Sequence, residues 1–242
     1  MRRSVVSALL VSALLADPAL AAPGAGDKVY GATVENGITE FEARYGRLVG
    51  DEAGGEDVLK LEVAHGFSDR LYGAVVAEIE REPSSSRKLE ALSIEGIYAL
   101  GKIGGIDAAL YGGYEIGLHG ADAVETKLLL QKRVGEFDAR LNLIGEKHLD
   151  GTPVELGYAA SADFEAIEEV RFGLAAFGEL GTTKHVTTHA EHFVGPIAKF
   201  EIEHLGKDSE LEVETGYLFA VGEARRETDG QFRLLFEYET RF

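Results

Sequence analysis

Three histidines and a glutamate stand close together at His185, His189, Glu191 and His192. Imidazoles take Zn, Cu or Ni, and in a helical turn His185 and His189 would share a face. The stretch lacks the His-Glu-x-x-His order of a zinc protease. It is expected either as a metal site or as a solvated polar loop. His65, His119, His148 and His204 are scattered and read as turn or interfacial residues.

Covalent chemistry finds little to use. The chain has no Cys, which excludes disulfides, thiolate nucleophiles and Cys-ligated metals. After the N-terminal segment, Ser occurs only as Ser68, Ser84, Ser85, Ser86, Ser93, Ser161 and Ser209, none in a Gly-x-Ser-x-Gly elbow or beside a His. Carboxylate pairs abound, but at alternate positions of strands they follow from sheet patterning, and no sugar cleft accompanies them. No catalytic residue and no cofactor is assigned, and the chain is expected not to be an enzyme.

Acid dominates the 242 residues: 42 Asp+Glu against 24 Lys+Arg, a formal charge of -18. That field repels phosphate backbones, so nucleic acid is not an expected partner. With 45% hydrophobic and 9% aromatic residues the chain can build one full domain, and its 30 Gly fit many tight turns better than a helical bundle.

The elements that carry these charges follow from hydrophobic periodicity. Arg2 and Arg3, the apolar run Val5 to Ala16 and the small residues Ala19 and Ala21 form a secretory signal over 1–21. Residues 22–37 are then expected as a periplasmic lead-in and 38–242 as the folded body. Beyond the signal, no run approaches the ~20 apolar residues of a membrane helix. Period-two alternation recurs instead. Phe232, Leu234, Phe236, Tyr238, Thr240 and Phe242 share one face, with Arg233, Leu235, Glu237, Glu239 and Arg241 on the other. Leu211, Val213, Thr215, Tyr217 and Phe219 oppose Glu210, Glu212 and Glu214 in the same way, as do Phe137, Ala139, Leu141 and Leu143 against Asp138, Arg140 and Asn142.

Twelve such segments of suitable length predict an all-β, antiparallel up-and-down transmembrane β-barrel. Connections alternate between long or polar stretches (Gly46 to Asp57, Glu82 to Ser86, Glu146 to Thr152, Gly181 to Glu191, Gly222 to Gly230) and tight turns, with the short Leu118 to Ala121 and the long Ala162 to Glu168 as exceptions. Long loops would face outward and short turns the periplasm. The charged face then lines a lumen, with Glu210, Glu212, Glu214, Glu237 and Glu239 prominent. It is expected either as a narrow pore favouring small cations or as a salt-bridged interior of a structural envelope barrel. A soluble, periplasmic lipocalin-like barrel binding a small ligand or metal would show the same string inside out.

The ending from Leu234 to Phe242 resembles the C-terminal signal of bacterial outer-membrane barrels. That resemblance implies an assembly role for Phe236, Tyr238 and Phe242 toward the barrel assembly machinery, and outer-membrane lipid as surroundings. Val29-Tyr30 with Val34 to Gly37, Leu128 to Lys132 with Leu141 to Leu143, Glu155 to Tyr158, and Glu191 to Pro196 resemble an uncharacterised family of proteobacterial outer-membrane proteins. The family implies the barrel and no activity.

Overall fold

The computed structural model describes residues 22–50, 53–206 and 208–241, and the side chains of residues 188, 189, 203 and 204 are outside the description. The expected signal segment 1–21 and the terminal Phe242 lie outside the described residues.

Twelve strands form one closed antiparallel barrel in sequence order. They are β1 Ile38–Val49, β2 Asp57–Gly66, β3 Leu71–Arg81, β4 Lys88–Ile103, β5 Ile106–Gly117, β6 Ala123–Val134, β7 Phe137–His148, β8 Glu155–Ile167, β9 Val170–Thr182, β10 His185–Gly206, β11 Ser209–Gly222 and β12 Gly230–Arg241. A continuous register from Ile38↔Arg241 to Val49↔Gly230 joins the first strand to the last, so the wall has no free edge.

Successive side chains of a strand point to opposite sides of the wall, and burial shows which side is which. On β1, Glu42, Arg44 and Leu48 are buried while Phe41 and Val49 are exposed. On β12, Gln231, Arg233 and Leu235 are buried, and Phe232 and Phe236 are exposed. The outer wall is apolar through its middle: Ile94 is 63% exposed, Leu174 59% and Val75 58%. Aromatic residues band it at both ends. Phe41, Phe137, Phe164, Phe172, Phe200 and Tyr238 ring one end, and Tyr45, Tyr114, Tyr158 and Tyr217 ring the other. An apolar exterior between aromatic girdles matches a hydrocarbon layer rather than water. The lipocalin-like alternative requires the greasy face inside, and the wall has it outside.

The two ends differ. At the short-turn end the connections are residues 67–70 and the pairs 104–105, 135–136, 168–169 and 207–208. The opposite end carries residues 50–56, 82–87, 118–122, 149–154 and 223–229, the last holding a 3-10 helix, Glu223–Arg226. Two expected connections are corrected. The stretch Gly181 to Glu191 is no long loop, because β9 continues to Thr182 and β10 starts at His185, with a register shift between Val186 and Glu191. The long stretch Ala162 to Glu168 is also absent, since β8 runs to Ile167 and a two-residue turn follows. In both places polar residues pair as strand because the barrel wall extends beyond the apolar belt.

Residues 22–37, expected as a lead-in outside the barrel, run along its inside instead. They make turns at Ala25 N–H to Ala22 O (2.9 Å) and Asp27 N–H to Gly24 O (3.3 Å), then continue extended until the Gly37 N–H donates to Gly66 O at 2.8 Å. The interior gives this segment what bulk water would not: a row of polar side chains matched to its main chain, and apolar patches matched to its side chains.

Candidate functional site

The lumen is built around the crossing segment. At the opposite end, Gln231 Nε2 donates to Pro23 O at 2.9 Å. Arg233, 4% exposed, donates from Nη2 to Asp27 O at 2.8 Å and from Nε to Glu214 at 3.0 Å. Its guanidinium also lies over the Phe177 ring, 4.6 Å from the centroid. Midway, the Tyr30 N–H donates to Asn142 Oδ1 at 2.8 Å, and Asn142 Nδ2 donates back to Tyr30 O at 3.0 Å. Lower down, the Ala32 N–H donates to Gln131 Oε1 at 3.0 Å, and Gln131 Nε2 is fixed by both Asp138 oxygens. At the short-turn end, Arg241 donates to Asn36 O at 2.7 Å and pairs with Glu35. A buried main chain needs partners for its N–H and C=O groups, and here wall side chains supply them.

The segment's own side chains are equally placed. Asp27 pairs with Lys60 at 3.0 Å. Lys28 sits between Glu42 at 2.9 Å and Glu62 at 3.2 Å, with Glu237 at 3.8 Å, while Arg44 binds the same Glu42 and Glu62, each at 2.9 Å. Tyr30 donates its hydroxyl to Glu95 at 2.8 Å and packs on Tyr111, ring centroids 5.2 Å apart. The Lys127 ammonium rests over both rings, at 4.7 and 4.4 Å. Tyr30 and Ala32 also join the buried wall residues Tyr72, Ile97, Ala109 and Leu129, and Ala22 and Val29 pack on a second cluster with Leu48, Phe177, Phe193 and Leu218. Glycines make room: a Cβ on Gly46 would overlap the main chain of Ala25 and Gly26, and one on Gly66 would overlap the Glu35 carbonyl.

Two cavities flank the segment. One, of about 360 Å³, opens toward the opposite end and is lined by Glu78, Glu80, Glu90, Glu95, Glu115, Glu125, Glu146 and Glu155 against Arg44, Lys60 and Lys127. Asp150 stands at its rim in the β7–β8 loop, where hydrogen bonds from the Thr152 N–H (2.9 Å) and hydroxyl (2.8 Å) hold its carboxyl below the ordinary carboxylate range. The second, of about 220 Å³, lies nearer the short turns. There Glu201, Glu210, Glu212, Glu214, Glu237 and Glu239 face Lys28, Arg133, Arg140 and Lys199.

The five glutamates expected on the lumen therefore lie together, around the second cavity. Of these, Glu214 is bound to Arg233 and sits 3.6 Å from Lys199. Among the described side chains, the histidine stretch is not gathered into a cluster. The helical turn that would align His185 and His189 is replaced by strand, His185 is exposed, and His192 faces outward with Nδ1 3.2 Å from the Tyr158 hydroxyl. The His189 side chain lies outside the description, and among the described residues no group of three or more His, Cys, Asp or Glu could hold a metal ion. Phe236 and Tyr238 face outward as expected. Sequence reasoning passed over Tyr30, Arg44, Glu95 and Gln131, although Arg44, Glu95 and Gln131 stand at inward register positions.

Comparison with solved structures decides the fold type. The KdgM porin superposes with TM-score 0.57 at 11% identity, covering 84% of this chain and 99% of that one. The NanC porin gives 0.57 at 10%, covering 84% and 100%. This chain has an outer-membrane porin fold. An outer-membrane channel from Pseudomonas putida F1 gives 0.58 at 11%, covering 92% and 100%. No protein-family model matches the sequence, and no curated protein matches it.

Proposed function

We propose that the protein is an outer-membrane barrel forming a narrow pore that favours small cations. The carboxylate-lined chamber of about 360 Å³ carries the reading. Low-dielectric walls around one sign of charge focus the field, draw in counter-ions and turn away anions. One structure of similar fold is the KdgM porin in complex with disordered oligogalacturonate, a polyanion. The acidic chamber here would repel a polyanion, which supports a different solute. Long loops at the chamber end, as on the outer side of membrane barrels, make it the vestibule. Phe236, Tyr238 and Phe242 serve on this reading as the signal for the barrel assembly machinery.

The test is reversal potential in a planar bilayer under a KCl gradient. Wild type should be cation-selective. Glu115, Glu125 and Glu146 all changed to Gln should shift the potential toward zero while heat-dependent gel migration stays native. Anion selectivity, or no conductance from well-folded protein under any condition, would overturn the reading.

A further inference from the structure

We propose that residues 22–37 are a displaceable gate, docked in the lumen as a closed state and able to leave it without unfolding the barrel. This rests on the pore reading above. Four observations carry it. The wall is complete without the segment: every strand pairs with two neighbours, and β1 meets β12 over its whole length. Between Pro23 and Asn36 the segment joins no strand ladder, so undocking breaks no main-chain pairing of the wall. The lumen nevertheless carries a seat shaped for it. Ile97, Leu129 and Leu218 are apolar at inward positions where a water-filled pore would want polar groups, and Gly46 and Gly66 leave room only for a passing main chain. Finally, the segment lies between the two acidic cavities, so its departure joins them.

Lys28 gives the gate its chemistry. Its ammonium, 11% exposed, occupies the carboxylates of Glu42 and Glu62. Buried carboxylates that lose a cation are costly unless another replaces it. A small cation entering the lumen is the natural replacement, so Lys28 is a tethered competitor of the solute. Undocking leaves Glu42 and Glu62 to share Arg44 alone, and a cation that prefers this under-neutralised pair favours the undocked state, which is the differential affinity a population shift requires.

The absence of native Cys makes the test clean. Ala32→Cys with Gln131→Cys places two thiols where the segment's N–H now meets the Gln131 side chain. Oxidised, this variant should hold the conductance at its closed level, and reductant should restore openings. As a second readout, the single variant Ala32→Cys in liposomes should react slowly with a hydrophilic maleimide. Adding Lys28→Ala should speed labelling about tenfold, the scale of losing a charge-assisted hydrogen bond. Raised KCl should speed labelling of the Lys28 form more than of the Lys28→Ala form. Equal conductance in the oxidised and reduced states, with labelling indifferent to Lys28, would overturn the gate and leave the pore standing. Labelling that responds while no form conducts would remove the pore, and with it the gating role.

Discussion

Tyr30 and Asn142 exchange two hydrogen bonds, main chain to side-chain amide, 2.8 Å one way and 3.0 Å the other, across 112 residues of sequence. The pair imitates a single rung of β-ladder with a side chain standing in for a strand. Asn142 is fully buried, so no water replaces it. Asn142→Leu keeps the volume and removes both partners, leaving one N–H and one C=O unsatisfied at about 1–3 kcal/mol each. The expected outcome is faster hydrogen exchange for residues 27–34 in detergent, by tenfold or more, with unchanged protection of the strands. Uniform loss of protection would make Asn142 a residue of the wall rather than of the seat.

Arg233 joins wall and segment, holding Glu214 on one side and the Gly24 and Asp27 carbonyls on the other. Replacing it with Leu leaves the Glu214 carboxylate buried beside Lys199 alone. Breaking a buried pair costs about 3–5 kcal/mol, and Lys199 at 3.6 Å keeps the loss near the lower figure. Urea unfolding in lipid should show it. Arg233→Leu with Glu214→Leu should recover much of the loss, because no buried charge then lacks its partner.

The alternation of Phe236 with Glu237, or of Leu211 with Glu212, contained the barrel: one repeated contrast names the element, the residues that share a face and, counted along the chain, the number of strands, while which face meets lipid had to come from burial. The gate was not legible that way. Its seat consists of exceptions to the alternation, such as Ile97, Leu129 and Leu218, each on an inward register and each apolar like its outward neighbours, so that locally the pattern only blurs. Residues 22–37 carry no period at all, since a chain held by side chains from Asn142, Gln131 and Gln231 needs none. The histidines misled for a related reason: polar residues of a strand beyond the membrane belt read like a loop, and His185 to His192 extend the β9–β10 hairpin.

Depth in the wall offers a test of the surroundings. Ile94 and Ile103 lie on the same strand and are almost equally exposed, 63% and 62%. Ile94 is in the middle of β4 and Ile103 at its short-turn end. In a bilayer, Arg at the midplane costs about 2–4 kcal/mol and near the interface about 0–1. Ile94→Arg should therefore destabilise the barrel in lipid far more than Ile103→Arg. In water the two would be alike, and equal effects would argue that this wall never faces hydrocarbon.

Gly46 separates the demands of strand and seat through the sign of a single substitution. It sits within β1, pairing with Val58 and Arg233. Its φ is not in the left-handed region, so the strand itself does not ask for glycine. Val is the better strand residue, and in a strand interior glycine costs roughly 0.5–1 kcal/mol relative to Ala. What requires glycine is the main chain of Ala25 and Gly26, which a Cβ would overlap. Gly46→Val should thus destabilise the protein with its segment docked and leave it unchanged or slightly more stable when residues 23–34 are deleted. Unfolding of the four forms in lipid closes a double-mutant cycle, with a coupling of at least about 1 kcal/mol expected for groups in contact. If Gly46→Val has the same effect with and without the segment, the glycine serves the wall alone and the close approach contributes nothing to docking.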